Sequence, residues 1–141
     1  MSDRDSQLAD FAELIMSVSR RLNAVVRNDP GAVQLSSLER LVMRHIGQHP
    51  GATPTQIASL FSMKSSNTSK ALQSLERRGF IDRVMDPDDG RGVLLYPTVA
   101  ATENLGRVRD HWAALLEPYL PESANIPEFV RLLSDLDVKL N

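Results

Sequence analysis

A run of short polar side chains between residues 65 and 70 has the chemistry of a binding surface. Hydroxyl and amide groups come first and a long cation follows, in the residues Ser65, Ser66, Asn67, Ser69 and Lys70. Asparagine and lysine can hydrogen-bond to the edges of DNA bases, and hydroxyl groups can bind phosphate oxygens. The segment is therefore a candidate contact surface for nucleic acid.

These side chains need a helix to hold them on one side. Small and apolar residues recur at i, i+3, i+4 and i+7, and this spacing predicts a helix over residues 65–78. Its buried face would consist of Thr68, Ala71, Leu72 and Leu75. The opposite face would carry Ser66, Lys70, Gln73, Ser74 and Arg77, with Asn67 and Ser69 on its flanks. An ordinary polar helix start is the simpler interpretation of any one residue here, but it explains the whole group less well.

A shorter helix is predicted just before this one. The TPTQ segment, residues 53–56, has the pattern of a capping box, in which Thr53 accepts from first-turn amides and Gln56 reaches back. Pro54 suits the first helical position, where no amide partner is needed. The apolar residues that follow end at Phe61, and a turn at about residues 62–64 would join the two helices.

A β-hairpin is predicted after the 65–78 helix. Two runs, FIDRVM at 80–85 and VLLYP at 93–97, are rich in β-branched and aromatic residues and flank a glycine-containing loop. Gly90 and Gly92 would permit the tight turn of that loop. Asp89 precedes Arg91 by two residues, so we expect its carboxylate to accept from the Arg91 guanidinium and hold that cation in place.

Amphipathic helices are predicted on both sides of this central segment. Residues 5–27 carry a seam-like apolar stripe that includes Leu8, Phe11, Ile15, Val18 and Leu22. A helix from about Ser37 follows, Thr98 can cap a long helix, and a last helix covers about residues 127–140. The predicted fold class is mainly α with a small β-hairpin wing, a winged helix-turn-helix domain plus N- and C-terminal helices.

Positive charge is concentrated in the middle of the chain. Residues 36–85 contain seven Lys and Arg against three acids, a net of +4, whereas the whole chain carries −2. Such clustering suits a nucleic-acid partner. The absence of cysteine excludes a disulfide framework. Neither a signal-peptide pattern nor an apolar run of membrane length is found, so we expect a cytoplasmic protein that does not bind membranes.

The segment SSNTSKALQSLERRGFIDRVMDPDDGRGVLLYPT, residues 65–98, resembles the MarR family of transcription regulators. The family pattern is followed in the polar helix start, in the Leu-Glu-Arg-Arg-Gly run at 75–79 and in the Asp-Pro-Asp-Asp-Gly-Arg loop at 86–91. Three positions depart from that pattern: Gly90, where the family often has an arginine, Pro97 and Ala101. The missing arginine would weaken or loosen the contact of the wing.

The resemblance implies a homodimeric, winged helix-turn-helix regulator of transcription. Residues 36–98 would form the DNA-binding domain, and residues 1–35 and 99–141 would form the dimerisation helices. A symmetric dimer would read a near-palindromic site of double-stranded DNA, with the 65–78 recognition helix of each subunit in the major groove. Because many family members are released from DNA by a small ligand, we expect a repressor that leaves its DNA site when such a ligand binds.

The expected DNA contacts come from the recognition helix, the helix before it and the wing. Bases and phosphates would be bound by Ser65, Ser66, Asn67, Ser69 and Lys70. Phosphates would be bound by Thr53, Thr55 and Gln56, and the DNA backbone also by Arg77. Arg91 would enter the minor groove, held there by Asp89. The main alternative is a winged-helix module for protein–protein contact that has no DNA target.

Other kinds of site receive less support from the sequence. A pocket for a small-molecule effector could be lined by Met16, Met43, His111 and Trp112, although core packing is the simpler interpretation of these residues. His45 and His49 have a spacing that can chelate a metal, but no nearby acid completes the site, and the wing acids lack the rest of a calcium-loop pattern. No metal, cofactor or enzyme activity is predicted, because no nucleophile or phosphate-loop motif is found.

Overall fold

The computed structural model describes residues 2–61 and 65–140. The elements in chain order are α1 (Asp3–Arg27), α2 (Ser37–Gln48), α3 (Pro54–Leu60), α4 (Ser65–Arg77), β1 (Ile81–Met85), β2 (Val93–Pro97), α5 (Val99–Leu116), a 3-10 turn (Glu117–Tyr119) and α6 (Ile126–Leu140). The predicted fold class is confirmed. The turn predicted at about residues 62–64 lies outside the described residues. Among the described helices, none is both long and apolar enough to cross a membrane.

Side-chain caps determine where the helices around the central segment begin. Thr53 Oγ1 accepts from the Gln56 amide at 3.2 Å, and Gln56 Oε1 accepts from the Thr53 amide at 2.9 Å, so the predicted capping box is confirmed. The expected cap of α5 is also present, since Thr98 Oγ1 accepts from the Ala101 amide at 3.2 Å. Each cap satisfies amides that a helix start otherwise leaves without partners.

The chain divides into two compact units. Unit 1 comprises Met1–Gln34 and Asn104–Leu120, and unit 2 comprises Leu35–Glu103 and Pro121–Asn141. Helix α5 therefore begins in unit 2 and ends in unit 1, and α6 belongs to unit 2. The division drawn from the sequence assigned all of residues 99–141 to the dimerisation helices, and that assignment stays a prediction.

The core of unit 2 lies where α2, α3, α4 and the hairpin meet. Its completely or almost completely buried side chains include Val42, Ile46, Ile57, Leu72, Leu75, Phe80, Ile81 and Leu95. Burying one aliphatic or aromatic side chain of this size contributes about 1.5–3 kcal/mol. Thr68 and Ala71 complete the buried face of α4, which is the face that the spacing predicted.

The wing is an antiparallel hairpin attached through the middle of β2 to the loop before α3. Its register runs from Ile81 opposite Pro97 to Met85 opposite Val93. Gly79, with φ of +74°, turns the chain out of α4 as expected for a glycine after a helix. The Gly51 amide donates to the Leu95 carbonyl at 2.8 Å, and the Leu95 amide donates to Ala52 at 2.9 Å. These bonds connect the hairpin to the start of α3.

Unit 1 is held together by polar contacts between the end of α1 and the second part of α5. Asp29 accepts from Arg107 and from the Gly31 amide, and it lies beside His111. The Trp112 indole donates to the Leu22 carbonyl at 3.0 Å. Apolar packing also contributes, because Val26 and Val108 are buried. These contacts join segments about 80–90 residues apart in the chain.

Candidate nucleic-acid interface

Helix α4 presents the predicted contact residues on its exposed side. Ser66, Asn67, Ser69, Lys70 and Arg77 are all exposed. Thr68 lies on the other side and is only 3% exposed, in agreement with the structural role expected for it. Ser65 is the first residue of the helix, and the structure does not describe its side chain. The structure therefore combines small polar groups and a cation on a helix whose opposite face is anchored in a core.

A buried carboxylate holds α4 against α2. Glu39 Oε1 accepts from the Ser74 hydroxyl at 2.7 Å, and Oε2 accepts from the Ser36 amide at 2.8 Å and lies 3.4 Å from Arg78 Nη1. Burial raises the pKa of Glu39, but the hydrogen bonds from Ser74 and Ser36 and the charge of Arg78 outweigh it, so the pKa lies below its ordinary value.

Glu39 was not among the residues predicted from the sequence. A signal was present, because Ser36 and Glu39 have the spacing of a capping box and the Ser36 side chain accepts from the Glu39 amide at 3.1 Å. That signal indicates the start of α2 only. The bonds to Ser74 and Arg78 join residues 35 and 39 positions apart. No local pattern reports contacts of this kind.

An open groove of about 290 Å³ lies beside the exposed face of α4. Its lining consists of Ser36, Leu38, Glu39, Asn67, Lys70 and Ala71. Two of the predicted contact residues, Asn67 and Lys70, therefore border the start of α2 and its buried carboxylate.

A second ion pair connects α4 to the wing, because Arg83 Nε lies 2.7 Å from Glu76 Oε2.

The residues predicted at α3 are partly engaged in its cap. Thr53 and Gln56 use their side-chain oxygens on each other's amides. The Gln56 side chain is exposed, and its Nε2 atom can donate hydrogen bonds. Thr55 is exposed as well. Phosphate binding by Thr53, Thr55 and Gln56 stays a prediction, and it would use groups other than the capping oxygens.

Two aspartates close the tip of the wing. Asp86 Oδ1 accepts from the Asp88 amide at 2.9 Å, and Asp89 Oδ1 accepts from the Arg91 amide at 3.1 Å. The expected bond from the Arg91 guanidinium to Asp89 is therefore wrong, because a short carboxylate is better placed to reach the amide two residues on. Within the part of the chain that the structure describes, Arg91 forms no ion pair.

The two wing glycines differ in what they permit. A Cβ atom at Gly92 would lie 3.2 Å from Asp86 Cβ and 3.3 Å from the Asp89 carbonyl oxygen, so this position is crowded. A Cβ atom at Gly90 would have no described atom within 4 Å. Neither residue has a positive φ. The turn therefore does not require glycine at position 90, which corrects the expectation for that residue.

The four residues predicted to line an effector pocket have different surroundings. In unit 1, a ring nitrogen of His111 lies beside Asp29, and the Trp112 indole donates to the Leu22 carbonyl. Met16, also in unit 1, is 72% exposed. In unit 2, Met43 packs against the apolar core. Their role in binding a ligand stays a prediction.

The histidine pair at the end of α2 forms an internal stack. The rings of His45 and His49 lie 4.5 Å apart, and His49 Nδ1 is 3.3 Å from the His45 carbonyl oxygen. Burial, and then the nearby His49, lowers the pKa of His45. Among the described residues, no three His, Asp or Glu side chains are grouped as they would be around a metal ion.

A short helix, a second helix with an exposed polar face and a β-hairpin define a winged helix-turn-helix protein. The family model of the MarR family matches residues 33–92. An HTH-type transcriptional regulator of Mycobacterium bovis is 31% identical over 118 residues, which cover 81% of this chain and 80% of the relative. The chain therefore belongs to the MarR family of DNA-binding transcription regulators.

Solved structures support the same fold. The crystal structure of MarR has a TM-score of 0.68 with 21% identity, covering 92% of this chain and 98% of that one. The transcriptional repressor CouR, bound to a 23-mer DNA duplex, has a TM-score of 0.68 with 23% identity and covers 94% and 90%. At these identities, the likeness applies to the fold.

Proposed function

We propose that this protein is a homodimeric, sequence-specific DNA-binding regulator that acts as a repressor until a small ligand releases it. The observation that carries the proposal is the exposed face of α4. Its polar side chains and Lys70 project from a helix whose other face is buried, so they are rigidly presented to a partner. A rigid helix of this kind can enter the major groove and read base edges.

Each proposed DNA contact follows from the position of its residue. Ser65, Ser66, Asn67, Ser69 and Lys70 would meet bases and phosphates in the major groove, and Arg77 would meet the DNA backbone. The cap residues Thr53, Thr55 and Gln56 would meet phosphates. Among the described residues, no carboxylate forms an ion pair with Arg91, and this side chain would enter the minor groove. The role proposed for Asp89 is to shape the wing tip that carries Arg91.

Exposed apolar faces support dimerisation. In unit 1, the exposed large apolar residues of α1 are Leu8, Phe11, Leu14, Ile15, Met16 and Val18, and Val26 is the one buried residue among those described in this helix. In unit 2, no residue of α6 is buried, and Phe129 is 53% exposed. Apolar faces of this extent are typical of surfaces that a partner covers, and a second copy is the simplest partner.

Release by a ligand rests on the family membership. Met16, Met43, His111 and Trp112 stay the candidate residues for binding that ligand. In the CouR structure, a repressor with this fold binds a DNA duplex, which supports the DNA-bound state of the proposed cycle. A two-fold symmetric dimer would bind a near-palindromic sequence with half-sites one helical turn apart.

The test is a selection of duplexes from random DNA, followed by affinity measurements. The selected duplex and a scrambled duplex of the same length are titrated by fluorescence anisotropy at two salt concentrations. A sequence-specific regulator prefers the selected duplex, and its affinity falls steeply as salt rises. A winged-helix module that binds only proteins enriches no sequence. Titration of small aromatic anions and lipophilic compounds into the complex then tests release.

Light scattering after size exclusion tests the dimer. We expect a mass of two chains for the native protein and of one chain for Phe11→Asp/Ile15→Asp, because both changes introduce charge into the apolar stripe of α1. The matched control is Ala9→Asp, an exposed position on another side of the same helix. A native protein with the mass of one chain would contradict the proposal.

A further inference from the structure

Glu39 is an acidic residue buried beside the helix that is proposed to read DNA. It is 7% exposed, and its two oxygens have three partners on two elements. Oε2 closes the cap of α2 through the Ser36 amide. Oε1 and Oε2 also bind Ser74 and Arg78, which lie in the last turn of α4 and just after it. One carboxylate therefore fixes the start of α2 and the end of α4 together.

The contact with Ser74 has consequences for the rotation of α4. Ser74 is four residues after Lys70 and seven after Asn67, so the three side chains lie along one line of the helix surface. Asn67 and Lys70 line the groove that Glu39 also lines. A bond that holds Ser74 toward α2 therefore sets the direction in which Asn67 and Lys70 leave the helix.

Such a carboxylate contributes orientation as well as stability. Taking its charge out of water offsets part of the gain from its partners, but replacing Glu39 alone would take this acceptor away from Ser36, Ser74 and Arg78 and would therefore lower stability. An apolar residue of similar volume would fill the space and would provide no acceptor for Ser74. The hydrogen-bonded carboxylate therefore adds a fixed direction of Ser74 that an apolar residue does not provide.

We propose that Glu39 is a positioning residue that sets the rotation of the recognition helix α4 through Ser74 and Arg78, and thereby sets sequence discrimination. This inference rests on the proposed DNA-binding function. Glu39 itself touches no base. It acts through Asn67 and Lys70, whose geometry toward base edges depends on the rotation of α4 by a few degrees.

The first experiment compares affinities for the selected and the scrambled duplex. Glu39→Met should lower the ratio of the two affinities by roughly tenfold, the cost of one misplaced base contact. Both affinities are measured well below its unfolding temperature, because loss of the acceptor also lowers thermal stability. Glu103→Gln is the matched control for the loss of one negative charge, since Glu103 is exposed in unit 2; its ratio should stay that of the native protein. An unchanged ratio in folded Glu39→Met overturns the proposal.

The variant Ser74→Ala separates orientation from the cap of α2, because it leaves the Ser36 bond intact. We expect it to lower the ratio in the same direction. The double variant Glu39→Met/Ser74→Ala should have the same ratio of affinities as Glu39→Met alone, since the two residues act through one bond. Additive losses would contradict the shared mechanism. If Glu39→Met does not fold, Glu39→Gln and Ser74→Ala provide the same comparison.

Hydrogen exchange of the free protein provides a test that needs no DNA. Loss of the carboxylate should speed amide exchange in α4, relative to the native protein, while the strands β1 and β2 keep their rates. Unchanged exchange in α4 overturns the inference whether or not the protein binds DNA. Faster exchange in α4 with no selected duplex would instead contradict the proposed function alone.

Discussion

Arg107 donates to both carboxylate oxygens of Asp29 through two nitrogens of its guanidinium, with Nε 2.6 Å from Oδ2 and Nη2 3.2 Å from Oδ1. His111, one helical turn further along α5, lies 2.6 Å from the same Oδ2 atom. The Asp29 side chain is 11% exposed. The hydrogen bond from Arg107, and then those from His111 and the Gly31 amide, hold the pKa of Asp29 well below its usual range.

This contact predicts that acid destabilises unit 1. A carboxyl group whose pKa is lower in the folded state contributes stability that is complete above its unfolded pKa of about 4. The contribution is lost as the pH falls through lower values toward the folded pKa. Asp29→Asn should therefore unfold at lower denaturant concentration than the native protein at pH 7, and this difference should shrink below about pH 4.

Urea unfolding at fixed protein concentration, followed at several pH values, measures this difference. Asp110→Asn is the matched control, because Asp110 is exposed on the same helix. A difference between native and Asp29→Asn protein that is constant over this pH range would show that the ionised carboxylate does not matter.

Lys70→Ala should weaken binding to the selected duplex by roughly 1–3 kcal/mol if Lys70 reads a base edge. If it binds phosphate instead, the loss should be uniform across sequences, and the slope of log affinity against log salt should fall by about 1. Thr68→Val, on the buried face, should bind nearly normally. Unchanged affinity of Lys70→Ala for both duplexes would exclude Lys70 from the interface.

Asp89→Ala should weaken binding although it removes a negative charge from the wing. The reason is that the Arg91 amide loses its acceptor, so the tip that carries Arg91 becomes less ordered. Asp88→Ala is the control, since it removes the same charge from an exposed neighbour. Anisotropy titrations compare the two variants. Stronger binding of both would indicate that simple repulsion by the acids dominates.

Gly90→Arg should strengthen DNA binding, because the position has space for a side chain and a backbone that any residue can adopt. One additional phosphate contact should steepen the salt dependence by about 1 in log–log slope. Gly90→Ala separates the loss of glycine flexibility from the gain of charge and should bind like the native protein. Equal affinity and slope of the arginine and alanine variants would place residue 90 away from DNA.

Much of unit 2 could be predicted from local pattern. The spacing of Thr68, Ala71, Leu72 and Leu75 determined which side of α4 is buried, and the TPTQ segment determined where α3 begins. The hairpin followed from two β-rich runs around a glycine-containing loop. The wing was predicted less well. Asp89 was expected to bind a guanidinium and binds an amide, because sequence separation alone does not distinguish two donors of the same residue.

The sequence by itself determined the elements, the exposed polar face of α4 and the resemblance to the MarR family, because helix periodicity and caps act over three to seven residues. The tertiary structure decided what holds those elements in place. Glu39 meets Ser74 across 35 residues, and Asp29 meets Arg107 across 78. Such pairs depend on how the helices pack, and packing is a property of the folded chain rather than of any local segment.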